Sequence, residues 1–260
     1  MIRVKLAFLP LLLLVLASCT SSGYDFIETS SIKTPFADSD PQDFGKNSPS
    51  RYPIHGVDVS RWQGDVDWEK ARANGVSFAF VKATEGGDRI DPRFEDYWRG
   101  ARRAGLPVAP YHFYYFCTSP EEQAAWFIHN VPKSAVVMPP VVDMEWNPNS
   151  PTCRRRPTPE TVRADLARFA AIVQAYYGKK PIIYTTIDFH RRNLAGHFAG
   201  YSFWLRSVSD HPDNIYKSRD WTFWQYTGTG IVPGIPGKAD VSVFAGSKTA
   251  WQTWLSAYSD

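Results

Sequence analysis

From Pro53 onward two hydrophobic rhythms alternate along the chain. Short runs rich in β-branched and aromatic residues predict strands over 54–59, 78–83, 108–116, 140–145, 182–186, 203–206, 222–226 and 240–243. Longer amphipathic segments predict helices over 67–74, 93–104, 120–130 and 159–177. Thr158 followed by Pro159 is a helix start, with Thr as N-cap and Pro in the first turn. Gly75, Gly105 and Gly178 each stand where a helix ends, as C-terminal glycines do. Strand and helix in alternation imply an α/β fold with a parallel sheet, most simply a TIM-like (β/α) barrel. The later strands have short connections, so the barrel is expected to be irregular in its second half.

The first 52 residues lack this pattern. Arg3 and Lys5 precede an apolar run over 6–16, which predicts a secretory signal over 1–18. The run is short for a transmembrane helix. Leu16-Ala17-Ser18-Cys19 resembles the bacterial lipobox. That resemblance implies cleavage before Cys19, acylation of its thiol and amine, and a stable lipid anchor at a membrane of the cell envelope. That membrane would face the periplasm in a double-membrane bacterium. The plain alternative is an ordinary signal with a chance cysteine. Residues 20–52 are rich in Ser, Thr, Asp and Pro, and read as a disordered tether that could span at most roughly 110 Å. The catalytic barrel is then assigned to 53–260.

The stretch PPVVDMEW at 139–146 carries the candidate chemistry. Asp143 and Glu145 stand at i and i+2 of a strand, so they share a face, roughly 6.5–7 Å apart along the backbone. Mutual repulsion and lost hydration raise the pKa of at least one. Two carboxyls in unlike environments are what glycosidic bond cleavage uses. An isolated pair of this kind is more often an ion-pair partner or part of a metal site. The neighbouring strand ends add weight. Asp58, Lys82, Glu85, Tyr111, Tyr184, Trp204, Gln225, Tyr226 and Asp240 recur at the carboxyl ends of the predicted strands, the rim where α/β barrels hold their sites. Singly each has a dull reading: Asp58 a turn cap, Lys82 a surface charge, Trp204 core.

Composition narrows the class. The 260 residues are 43% hydrophobic and 15% aromatic, with ten Trp and thirteen Tyr, a surplus that fills a core or stacks on sugars. A net charge of +3 drops by two, to +1, once Arg3 and Lys5 leave with a signal, which is no footprint for nucleic acid. There is no phosphate-binding glycine motif. His55, His112, His129, His190, His197 and His211 do not pair with the acids at ligand spacing, so no metal or cofactor is expected.

Residues 54–246 resemble the lysozymes of glycoside hydrolase family 25, the Chalaropsis-type N-acetylmuramidases. The resemblance is carried by GVDVSRWQGDVDW (56–68), FAFVKATEG (78–86), PYHFYY (110–115), VVDMEW (141–146), PIIYTT (181–186), FWLRS (203–207), FWQYTGTGIVPGI (223–235) and DVSVF (240–244). It implies a single irregular barrel that cuts the β-1,4 bond between N-acetylmuramic acid and N-acetylglucosamine in peptidoglycan, acting as a monomer on glycan strands. It assigns Glu145 as general acid, Asp143 as the carboxylate at the anomeric centre, and Asp58 and Asp240 as flanking acids. In this picture hydrogen bonds keep Asp143 ionised, and its charge raises the Glu145 pKa. Retention, inversion and attack by the substrate's own 2-acetamido group all stay open on the backbone spacing, with the last favoured. One departure stands out: Ser242 occupies a position where the family often has Asn. Two rival functions remain, a barrel that binds peptidoglycan without cutting it, which the presence of both Asp143 and Glu145 disfavours, and a toxin-like role aimed at a foreign wall.

With Cys19 acylated, Cys117 and Cys153 are the remaining thiols. They fall in loops after the third and fourth strands, which a parallel barrel sets side by side, so a disulfide on the rim is expected.

Overall fold

In the computed structural model, which describes residues 1–2 and 34–258, eight strands close on themselves. They are β1 (His55–Val59), β2 (Val76–Glu85), β3 (Val108–Phe113), β4 (Val141–Met144), β5 (Ile182–Thr185), β6 (Phe203–Arg206), β7 (Phe223–Ile231) and β8 (Ala239–Phe244). β1 to β7 run parallel, each bonded to the next. β8 returns antiparallel between β7 and β1 and completes the ring. The expected signal core and Cys19 lie outside the described residues.

Helices α1 (Trp68–Ala73), α2 (Phe94–Arg103), α3 (Pro120–Asn130) and α4 (Pro159–Tyr177) follow β1 to β4 in turn. The Thr158 side chain accepts from the Thr161 N–H at the start of α4, and Gly178 ends it in a left-handed conformation with φ 72°. Beyond β5 the helices shrink, as the short connections imply. Ile187–Phe189 runs into a π-helical turn at His190–Leu194, and Pro212–Ile215 is the one helical turn between β6 and β7. A C-terminal helix, Lys248–Ser256, has no counterpart in the sequence reading.

Side-chain parity splits the core in two. On β4, Val142 and Met144 join the layer between barrel and helices, while Val141 points inside. On β6, Leu205 packs outward and Trp204 inward. The interior is filled by aromatic rings, with Phe80 stacked on Trp204 at 4.0 Å and Phe78 edge-on to Phe223 at 5.1 Å. A Cβ on Gly56 would stand 2.3 Å from the Phe78 ring, so only glycine leaves room there. At the amino-terminal end of the barrel, Trp251 from the C-terminal helix closes the floor against Phe78 and Phe244. The filled interior leaves one end of the barrel for chemistry.

Residues 34–52 correct the expectation of a tether there. Ala37–Asp38 forms a short antiparallel strand on the end of β7. Phe36 is buried edge-on to His55, Phe44 meets Trp224 at 5.1 Å, and the Tyr52 hydroxyl lies 3.1 Å from His211 Nε2. These three aromatics are spaced eight residues apart. The residues between them are almost all polar, so no continuous apolar stripe forms and each pins an irregular strap to the barrel singly.

Candidate active site

The inward residues at the carboxyl end of the barrel form one cluster. Alternation along β1 turns Val57 and Val59 to the helix layer and leaves Asp58 inside. The same parity turns Asp143 and then Glu145 inward from β4. Because β8 runs the other way, its first residues reach the same rim, and Asp240 pairs in register with Asp58. Four carboxyls thus meet above a floor built by Tyr111 and Trp204.

Hydrogen bonds order part of this cluster. The Gln225 amide donates to Asp58 Oδ2 at 2.9 Å, and its oxygen accepts from the Tyr184 hydroxyl at 3.0 Å. Lys82 Nζ sits 2.6 Å from Glu85 Oε2, and the Tyr115 hydroxyl donates to the other oxygen of Glu85. Asn147, just beyond β4, donates to the Tyr115 hydroxyl at 3.2 Å. Burial raises the Glu85 carboxyl, but Lys82 and these hydrogen bonds outweigh it and hold the group below its usual range. Ser242 accepts from the Trp204 indole at 3.0 Å, so the residue that departs from the family pattern serves the floor.

The four central carboxyls behave differently from Glu85. Burial pushes Glu145 up to about 7; Arg206 and Lys82 oppose the rise and Asp240 adds to it. Burial also lifts Asp240 to about 6, again against Arg206. Asp58 is raised well above the ordinary range by burial and then by Asp240, with its bond from Gln225 working the other way. Asp143 is likewise raised well above it, by burial and then by Glu145. This corrects the expectation that hydrogen bonds keep Asp143 ionised. Its Oδ1 is buried with no hydrogen-bond partner among the described residues. Burial thus favours the protonated forms across the cluster, most plainly at Glu145, and leaves Asp143 Oδ1 as an acceptor without a donor among the described residues.

Most of the expected site residues converge here: Asp58, Lys82, Glu85, Tyr111, Asp143, Glu145, Tyr184, Gln225 and Asp240. Trp204 is only 2% exposed and supports the floor from below. Tyr226 does not belong. It follows Gln225 on a strand, so it faces outward, where its hydroxyl lies 3.2 Å from His55 Nδ1. Cys117 and Cys153 are disulfide-bonded, with an S–S distance of 2.04 Å, which joins the loops after β3 and β4 as expected. Two rim residues were missed. Arg206 lies two positions beyond inward-facing Trp204, and that parity was its signal. Trp62, 76% exposed on the turn after β1 with the Arg61 guanidinium 4.5 Å from its ring centroid, lay in the SRWQG stretch.

Comparison with known proteins agrees with this geometry. The profile of glycosyl hydrolases family 25 matches residues 57–235. The chain is similar to YegX of Escherichia coli K12, an uncharacterized protein, at 37% identity across 82% of this chain and 77% of that one. It is similar to Lysozyme M1 of Streptomyces globisporus at 33% identity across 75% and 68%. A family 25 glycosyl hydrolase structure from Bacillus anthracis superposes with a TM-score of 0.72 at 36% identity, covering 78% of this chain and 94% of that one. In sequence and in the fold of its closed eight-stranded barrel, the chain belongs to the glycosyl hydrolases of family 25.

Proposed function

We propose that the protein hydrolyses the β-1,4 bond between N-acetylmuramic acid and N-acetylglucosamine in peptidoglycan, with Glu145 as general acid. The observation that carries this reading is the pair on β4. Glu145 keeps its proton to about 7, two residues from an Asp143 whose buried Oδ1 has no donor among the described residues. Relatives named lysozyme and N,O-diacetylmuramidase support the substrate class.

Glu145 gives its proton to the leaving glycosidic oxygen as the C1–O bond breaks. The Asp143 acceptor suits the N–H of the 2-acetamido group. Accepting that bond favours ionised Asp143 and polarises the amide, whose carbonyl oxygen then bonds to C1. Water attacks C1 in the second step, returns a proton to Glu145 and restores the acetamido group. Two displacements at C1 retain configuration. Asp58 and Asp240 hold the groove floor, and the exposed face of Trp62 offers a surface for a sugar ring.

The test is mass spectrometry of digested peptidoglycan with early-product NMR. New reducing ends on N-acetylmuramic acid with retained configuration are expected. Glucosamine ends, or inversion at C1, would overturn the assignment; no new ends at all would leave a peptidoglycan-binding protein.

We also propose that Cys19 is acylated and holds the domain at an envelope membrane, on the strength of Leu16-Ala17-Ser18-Cys19. Palmitate labelling should vanish in Cys19→Ala; labelling that survives would reject the anchor.

A further inference from the structure

Beside the catalytic rim lies a second cavity of about 670 Å³, walled by Asp88, Tyr115, Glu122, Trp126, His129 and the Cys117–Cys153 disulfide. Its volume lies within the roughly 300–1,000 Å³ that small-ligand pockets span. The space is built rather than left over. The glycine turn that carries Asp88 is pressed onto the loop after β3: a Cβ on Gly87 would stand 2.7 Å from Thr118 Cγ2, and Gly86 adopts φ 57° against the Tyr115 ring. The Trp126 indole donates to the Arg89 carbonyl at 2.9 Å, which fixes its plane, and His129 stacks beside it. Tyr115 belongs to both spaces. It lines the cavity, and its hydroxyl donates to the Glu85 that pairs with Lys82 in the catalytic cluster.

The lining has a definite chemistry. Among the described residues it carries two carboxylates, Asp88 and Glu122, and neither Lys nor Arg. Glu122 caps α3 through Ser119 with one oxygen, Oε2. An aromatic wall beside two acids suits an amine on an aliphatic stem: the ring takes the methylenes and the carboxylates take the charge.

We propose that this cavity receives the peptide stem of peptidoglycan, with the free amine of its diamino acid against Asp88 and Glu122 and its methylenes along Trp126. The inference rests on the peptidoglycan reading above. A muramic acid carries its peptide on the sugar whose glycosidic bond is cut, so the peptide leaves the groove beside the reacting centre. A cavity sharing a wall with that centre lies on its path.

Three substrates test this with the whole folded enzyme: uncross-linked strands with free diamino-acid amines, the same strands N-acetylated at that amine, and strands stripped of peptide. Wild type should lose about tenfold in kcat/KM on the second and third. Asp88→Asn and Trp126→Phe should cut all three at the rate at which wild type cuts stripped strands. Equal wild-type rates on all three, or variants that keep the wild-type preference, would overturn the proposal. Failure to cut any strand would overturn the hydrolase reading instead. The cavity is then decided by calorimetry with the free stem tetrapeptide, where binding lost in Asp88→Asn supports it and no wild-type binding rejects it.

Discussion

Gln225 stands between Tyr184 and Asp58, accepting from the phenol and donating to the carboxyl, and so fixes which oxygen of Asp58 is engaged. Both of its bonds are buried. Gln225→Met keeps the length of the side chain and removes both. The expected result is a stability loss of about 1–3 kcal/mol in urea unfolding, with kcat lowered at least about tenfold as Asp58 loses its anchor. A variant with wild-type kcat would separate Asp58 from the chemistry.

Glu145→Gln should lower turnover by about 10²–10⁴-fold, since the amide has the shape but no acidic proton. Turbidity loss of a peptidoglycan suspension measures it; activity within threefold of wild type would remove Glu145 from the acid role.

The same variant reports on stability. Folding raises the Glu145 pKa from 4.5 to about 7. Its contribution is therefore fully present below about pH 4.5 and is lost as pH rises through about 7. Glu145→Gln has no such loss, so its Tm relative to wild type should climb across that window and then level. Burial lowers His55, His112 and His190 to about 4, which tilts the stability of both proteins the opposite way and alike. The difference in Tm reads Glu145 together with the carboxyls its charge raises, Asp143 and Asp58, and a flat difference would mean that its pKa is ordinary.

Arg206 opposes the rise of the Glu145 pKa and Asp240 promotes it. With Glu145 as the proposed general acid, activity should fall as pH passes its pKa. Arg206→Gln should move that alkaline limb to higher pH, and Asp240→Asn should move any residual limb to lower pH. A limb that stays put in both variants would show that neither charge reaches Glu145.

Phe36 tests the strap over residues 34–52. It is buried against the barrel, so Phe36→Ala should destabilise the domain by about 3–5 kcal/mol. Urea unfolding of the variant would show a much smaller effect if this segment were a free tether.

The sequence made the barrel legible because each strand is a contiguous apolar run and each helix α1 to α4 has its own start or stop. Site residues were legible wherever strand parity was applied, as with Asp143 and Glu145. Tyr226 failed for want of it, being adjacent to Gln225 and therefore on the opposite face. The strap was illegible because Phe36, Phe44 and Tyr52 are isolated anchors separated by polar stretches, with no apolar stripe between them. The state of Asp143 was illegible for a different reason. Whether a carboxyl keeps its proton depends on burial and on donors brought from other strands, and for Oδ1 no donor arrives among the described residues.

The antiparallel return of β8 sets when the enzyme can act. Asp240 faces Asp58 only when the last barrel strand docks on the first, and contacts so distant in the chain are slow to form. A chain still being synthesised carries Glu145 and Asp143 before it has a closed groove. The expected outcome is that a chain ending at residue 238 cuts nothing, even with both residues present, and measurable hydrolysis by it would reject this. On the expected outcome the nascent chain would be inert towards its substrate, because the final strand completes the groove around the two carboxyls that the middle of the chain supplies.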